Sequence, residues 1–176
     1  MHFDSLIDAL QEALRQELSL LTVLSPEQYR ASAEGYFSSS VGMHLRHNLD
    51  HFEAYFKGLQ LREIDYESRS RNSQIEDLPE VAKGALQDFI AKLEALRTQG
   101  EAEVKVREES DAGSAERRWL NSSIGRELQF LLGHTVHHNA IIAMIVERHG
   151  LNLPKGFGIA PSTQRHQAHA EPVARA

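Results

Sequence analysis

Six of the ten histidines fall in two short stretches, GMHLRHNLDHF (residues 42–52) and GHTVHHNAII (133–142). Imidazole is the side chain best suited to proton transfer near neutral pH and the commonest nitrogen ligand for transition metals. In the second stretch His134 and His138 stand at i and i+4, on one helix face one turn apart. Leu131, Ile141 and Ile145 share that arc, so the pair looks into a core, whereas His137 points roughly 100° away. Burying two imidazoles costs desolvation unless each finds a partner. A divalent cation satisfies both at once; two core histidines, each hydrogen-bonded to a neighbour, are the plainer alternative.

His44, His47 and His51 lie within an arc of roughly 60° on their own helix. One nitrogen from that helix added to His134 and His138 gives a three-histidine site with a position left open, the ligand count of a catalytic zinc centre. Periodicity alone does not choose among the three. Imidazoles suit zinc, nickel, iron or copper. Paired Glu-x-x-His motifs for a carboxylate-bridged di-iron centre are absent, and Thr135 after His134 excludes the His-Glu-x-x-His metalloprotease motif.

Four long helices must position these residues. The first covers residues 4–24, with Leu6, Leu10, Leu14, Leu18 and Leu21 at helical spacing. Ser25-Pro26 starts a short helical turn. The second long helix runs from Ser38–Ser40 to about Leu59; Val41, Leu45, Leu49, Phe52 and Phe56 share one arc and the histidines the next, so it is apolar around nearly all its girth. Residues 60–76 read as a long loop, and loops of that length in small domains are often functional. A third helix starts at Asp77 and Pro79 and ends at Gly100. EVKVREE and ERRWLN around SDAGSA read as a β-hairpin. Ser122 and Ser123 cap a fourth helix that runs to about His149 and closes at Gly150. The fold class expected is therefore all-α, a four-helix bundle over residues 1–160 with a short β-hairpin between the third and fourth helices. Residues 161–176 are expected to form a flexible C-terminal tail.

The 176 residues carry a net charge of −6 and no cysteine. That composition excludes disulfides, thiolate metal sites and a cysteine nucleophile. Acidic balance without a Lys/Arg stripe argues against nucleic acid. With no run of ~18 uncharged apolar residues, no membrane span is expected. The N-terminus lacks signal-peptide character, and a cytoplasmic location follows as the expectation.

The segments SVGMHLRHNLDHFEAYF and RELQFLLGHTVHHNAIIAMI, in this order and separation, resemble the DinB-like (YfiT-type) metalloenzyme superfamily over residues 1 to about 160. The resemblance places the family's helix-two ligand on His47 and its HxxxH ligands on His134 and His138. His44 and His51 then become supports for the ligand rings. It implies an up-down-down-up bundle, commonly a homodimer, binding zinc, nickel or iron, with a small-molecule or thiol substrate. Some relatives look like thiol-dependent transferases; the amino-terminal domain of iron sulfoxide synthases is also similar, but residues 1–176 are not expected to hold the second, larger domain of those synthases, so that activity is not expected.

The functional expectation is a metal-dependent transferase or hydrolase working through His47, His134 and His138. The alternative is a non-catalytic metal-binding stress protein or dimeric scaffold. Arg69 and Arg71 could meet an anionic substrate or decorate a solvated loop. Glu127, two turns before His134, is a candidate general base or merely a first-turn acid. Trp119 reads as hairpin packing, and His166 and His169 as a weak site in the tail.

Overall fold

A computed structural model describes residues 3–32, 38–108 and 118–169, without the side chains of residues 168 and 169. The chain is mostly helical with one small sheet. In order it forms α1 (Phe3–Leu21), α2 (Pro26–Arg30), α3 (Val41–Leu59), β1 (Glu63–Ile64), α4 (Ser73–Asp77), α5 (Pro79–Leu96), β2 (Glu103–Arg107), β3 (Trp119–Ser123), α6 (Ile124–Arg148) and α7 (Pro161–His169).

The helices begin where side chains can satisfy the free amides of a first turn. Ser25 and Gln28 form a capping box on α2, with Pro26 in the first turn. Ser40 caps α3 through Met43 N, and Ser123 caps α6 through Arg126 N. Gly150, with φ 71°, follows the C-cap of α6 in the left-handed conformation that closes a helix without Cβ strain.

The long helices α1, α3, α5 and α6 hold the core. α1 packs on α5 and α6, and α3 packs on the same two. Leu10 and Leu14 of α1, Leu45 and Leu49 of α3, Leu86 and Leu93 of α5 and Leu131 and Ile142 of α6 are almost fully buried. Their spacings of 4, 7 and 11 residues are those of one helical face. The apolar girth of α3 is consumed within the chain, by α2, α4, α5, α6 and β1.

The sheet has strand order β1-β2-β3. β2 and β3 pair antiparallel, with Lys105 opposite Asn121, as a hairpin requires; the SDAGSA turn lies outside the described residues. β1 adds a parallel edge, Glu63 opposite Lys105. The segment 60–76, read as one loop from the sequence, therefore contains β1 and all of α4 but its last residue, Asp77. A two-residue strand and a five-residue helix are too short to show a period, and only pairing with β2 and packing on α3 define them. The third long helix starts at Pro79, because Asp77 belongs to α4 and Leu78 separates the two. α7 lies inside the segment expected as a tail; Gln164 Nε2 on α7 donates to the carbonyls of Gly156 and Ile159.

Candidate metal centre

α3 and α6 lie side by side and bring their histidine faces together. Ring centroids of His47 and His134 are 5.1 Å apart, those of His47 and His138 4.7 Å, and those of His134 and His138 4.5 Å. His51 joins them, 4.0 Å from His134 and 4.7 Å from His47. His44 sits at the other end, 5.2 Å from His138. The order along the facing helices is thus His51, His134 with His47, His138, His44. His137 is exposed beside His138, as its helical phase demands.

One nitrogen from each of His47, His51 and His134 lies within 4.8 Å of the other two, close enough to share an ion. This triple has His47 and His134 in common with the set chosen from the sequence and holds His51 where that set holds His138. The two candidate third ligands differ in how their nitrogens are occupied. His51 Nδ1 is 2.8 Å from the backbone carbonyl of His47. A carbonyl only accepts, so Nδ1 carries the proton and Nε2 the lone pair. Arg69 donates to that Nε2 at 3.0 Å. His138 Nδ1 is 3.0 Å from His44 Nδ1, and His44 Nε2 is 2.8 Å from Ser39 Oγ. With His44 donating to Ser39 and His138 donating to His44, His138 keeps a free lone pair on Nε2. That relay is the orienting arrangement typical of ligating histidines.

His134 Nε2 is buried with no hydrogen-bond partner among the described residues. Glu17 Oε2, Tyr55 Oη, Asn139 Oδ1 and His149 Nε2 share that condition, but of these atoms His134 Nε2 is the one set among other imidazoles. Burial, reinforced by the neighbouring imidazoles, holds His47 down to about 4, His134 to about 2 and His138 to about 3. Burial also lowers His44 and His51. At neutral pH the rings are uncharged, the form in which imidazole binds metals. An uncharged, partly desolvated nitrogen cluster containing an orphaned buried nitrogen fits a divalent transition metal.

Glu127 is fully buried and spends both oxygens on structure. Oε2 accepts from Tyr66 Oη at 2.9 Å; Oε1 accepts from Ser122 Oγ at 2.5 Å and from Arg126 at 2.7 Å. It ties β3, the segment after β1 and the start of α6 together. Trp119 is partly exposed, 5.9 Å from the Arg107 guanidinium. His166 is exposed on α7, and the side chain of His169 lies outside the described residues.

Sequence reasoning missed a buried polar network on the far flank of the same helices. Asn48 Nδ2 donates to Glu17 Oε1 at 3.0 Å, and Thr135 Oγ1 donates to Asn48 Oδ1 at 3.1 Å. Each of Asn48 and Thr135 is next in sequence to a cluster histidine. The signal was available: Glu17 falls at core spacing after Leu10 and Leu14. The approach of Arg69 to His51 had no comparable signal, because a loop residue carries no phase.

The DinB superfamily model matches residues 9–142, most of the chain and all the histidines of the cluster. A 43% identity over 56 residues links 32% of this chain to a protein named FK506-binding protein 5 from Rhizopus delemar. The chain spans only 14% of that protein's length, so the likeness is confined to a segment. No solved structure matches the chain.

Proposed function

Because this chain belongs to the DinB superfamily, we propose that it is a metal-binding protein that holds one divalent transition metal, zinc, nickel or iron, on His47, His134 and His138. The observation that carries the reading is the buried, unpartnered Nε2 of His134 among uncharged imidazoles. His138 is preferred to His51 as third ligand because Arg69 already occupies the one lone pair of His51. His44 and His51 then orient their neighbours. We read the four long helices as the up-down-down-up bundle of the family, over residues 1–160, with 161–176 as an appendage.

Three protein ligands leave a position open for an exogenous group. Bound there, a divalent ion supplies Lewis acidity and lowers the pKa of a thiol or water nucleophile. The activity proposed is a metal-dependent transferase or hydrolase, with a thiol as the candidate co-substrate. The chain's contribution is a set of neutral donors, with His138 held by His44 and Ser39. One observation favours the alternative, a non-catalytic metal-binding stress protein or scaffold: Glu127, the candidate base, has no oxygen to spare.

No helix among the described residues is long and apolar enough to cross a membrane. We take the cytoplasm as the location. Self-association as a homodimer follows the family, and exposed Leu61, Trp119 and Leu120 supply apolar surface for it.

Elemental analysis of gently purified protein is the test of the centre, with about one metal per chain expected. Metal-free protein that also refuses added zinc, nickel and iron would falsify the reading. Assays with several cellular thiols then separate the enzyme from the scaffold.

A further inference from the structure

We propose that Arg69 is the anion-binding residue of this centre: its guanidinium, at the edge of the histidine cluster, takes the carboxylate or phosphate group of a small anionic substrate lying beside the metal. The inference rests on the metal reading above and gives that site its substrate class.

Arginine is a permanent cation with five donors and no acceptor. Here it stands 3.0 Å from a histidine nitrogen inside a cluster suited to a divalent cation. Alone, the two charges repel. An anion between them turns the same placement into attraction, with a fork of donors on one side and the ion on the other. The argument holds for either ligand set. If His51 ligates, Arg69 must release its Nε2 and is left beside the ion; if His138 ligates, Arg69 stays at the rim through His51.

Among the described residues, the hydrogen-bond partner of the Arg69 guanidinium is His51. Among the described residues no carboxylate lies within ion-pair distance of Arg69. Of the α3 acids bonded to this segment, Asp50 pairs with Arg46 at 3.0 Å, and Glu53 accepts from Ser70 Oγ.

The segment that carries Arg69 is fixed rather than loose. Tyr66 Oη is anchored on Glu127, Asp65 pairs with Arg107 at 3.0 Å, and Asn72 caps α4. Arg71 takes φ 49°, a left-handed conformation that costs a non-glycine residue energy and that the surrounding contacts must hold in place. A cavity of about 280 Å³ opens on the flank of this segment away from the histidines, where Arg69 and Lys57 share the wall with the Glu53 carboxylate; the anion is placed on the His51 side of the guanidinium and not in this cavity.

The test uses the full chain loaded with Co(II), whose visible spectrum reports on groups entering its coordination sphere. Wild type, Arg69→Gln and Arg69→Lys are titrated separately with acetate and with inorganic phosphate, and cobalt content and melting temperature are recorded for each. Arg69→Gln should keep its cobalt and melting temperature and bind the preferred anion on the order of 10-fold to 100-fold more weakly, the value of a hydrogen-bonded charged pair. Arg69→Lys, which keeps the charge without the fork, should recover part of that loss. Tighter acetate binding by wild type identifies a carboxylate substrate, and tighter phosphate binding a phosphoryl one. Unchanged affinity for both anions in Arg69→Gln overturns the role of Arg69 and leaves the metal centre standing, as does a cobalt-loaded wild type that binds neither anion. Failure to take up cobalt overturns the metal reading and this inference with it.

Discussion

At the scale of single residues, the histidines divide by what each nitrogen already touches. Alanine at His47 or His134 should abolish tight metal binding, because both belong to either possible triple. Alanine at His138 should do the same, while His51→Ala and His44→Ala should weaken affinity by roughly 10-fold to 100-fold, as orienting partners do. His137→Ala should do little, since that ring is exposed. Isothermal titration with zinc measures all six; full loss in His51→Ala with retention in His138→Ala would move the third ligand to His51. Glu17 gives a second prediction. Burial raises its carboxyl from 4.5 to about 8, against the lowering effect of Asn48 and Asn139. A raised acid holds its proton in the folded chain after the unfolded chain has lost it. Its contribution is therefore fully present below about pH 4.5 and is lost as pH rises through about 8. The buried histidines act in the opposite sense, losing stability as pH falls below 6.5, so the profile of the wild type alone is ambiguous. Glu17→Gln isolates the acid: in urea denaturation the wild type should lose stability relative to the variant between pH 5 and pH 8. Parallel profiles would show that Glu17 does not titrate in this window.

At the scale of elements, two helical glycines make opposite demands. A Cβ on Gly42 in α3 would run into the backbone oxygen of Glu76 and meet Tyr29 Cε1 at 2.7 Å. α4 is seated on α3 at that point, with Tyr29 Oη donating to the Ile75 carbonyl. Helix propensity favours alanine by about 1 kcal/mol, but overpacking against backbone costs about 1–3 kcal/mol. Because a backbone oxygen cannot swing aside, the clash wins, and Gly42→Ala should lower the melting temperature. Gly84 on α5 has nothing within 4 Å of its Cβ position. There propensity acts unopposed, and Gly84→Ala should stabilise by about 0.5–1 kcal/mol. Thermal melts of the pair, read by circular dichroism, should move in opposite directions.

At the scale of the whole molecule, the centre joins α3 to α6, two of the four helices that make the core. A metal that binds only the folded chain stabilises it by mass action, about 2.7 kcal/mol at a free concentration 100 times Kd. For a chain of this size that is a rise of several degrees in melting temperature. Chelation should reverse the rise, and His134→Ala should melt at one temperature with or without metal. Light scattering at micromolar concentration tests the proposed homodimer, since a standard interface of about 1,600 Å² survives there. A clean 20 kDa species would count against it.

The local sequence already determined where the long helices lie and which face of each is apolar, because a 3.6-residue period sustained over 18 to 25 residues is set by side-chain burial and needs no knowledge of neighbours. It also determined that His134 and His138 share a face while His137 leaves it, and that EVKVREE and ERRWLN carry two strands that pair. The choice of lone pairs was decided only in three dimensions. How the two nitrogens of His51 are occupied depends on the His47 carbonyl and on Arg69, 18 residues away. The relay through His44 spans 94 residues to His138. β1 and α4 likewise exist only through their partners, since two and five residues bury too little to set their own structure. Helical phase is a property of a segment and can be read along it; the partner of a buried polar atom is a property of the packing, and only the assembled helices supply it.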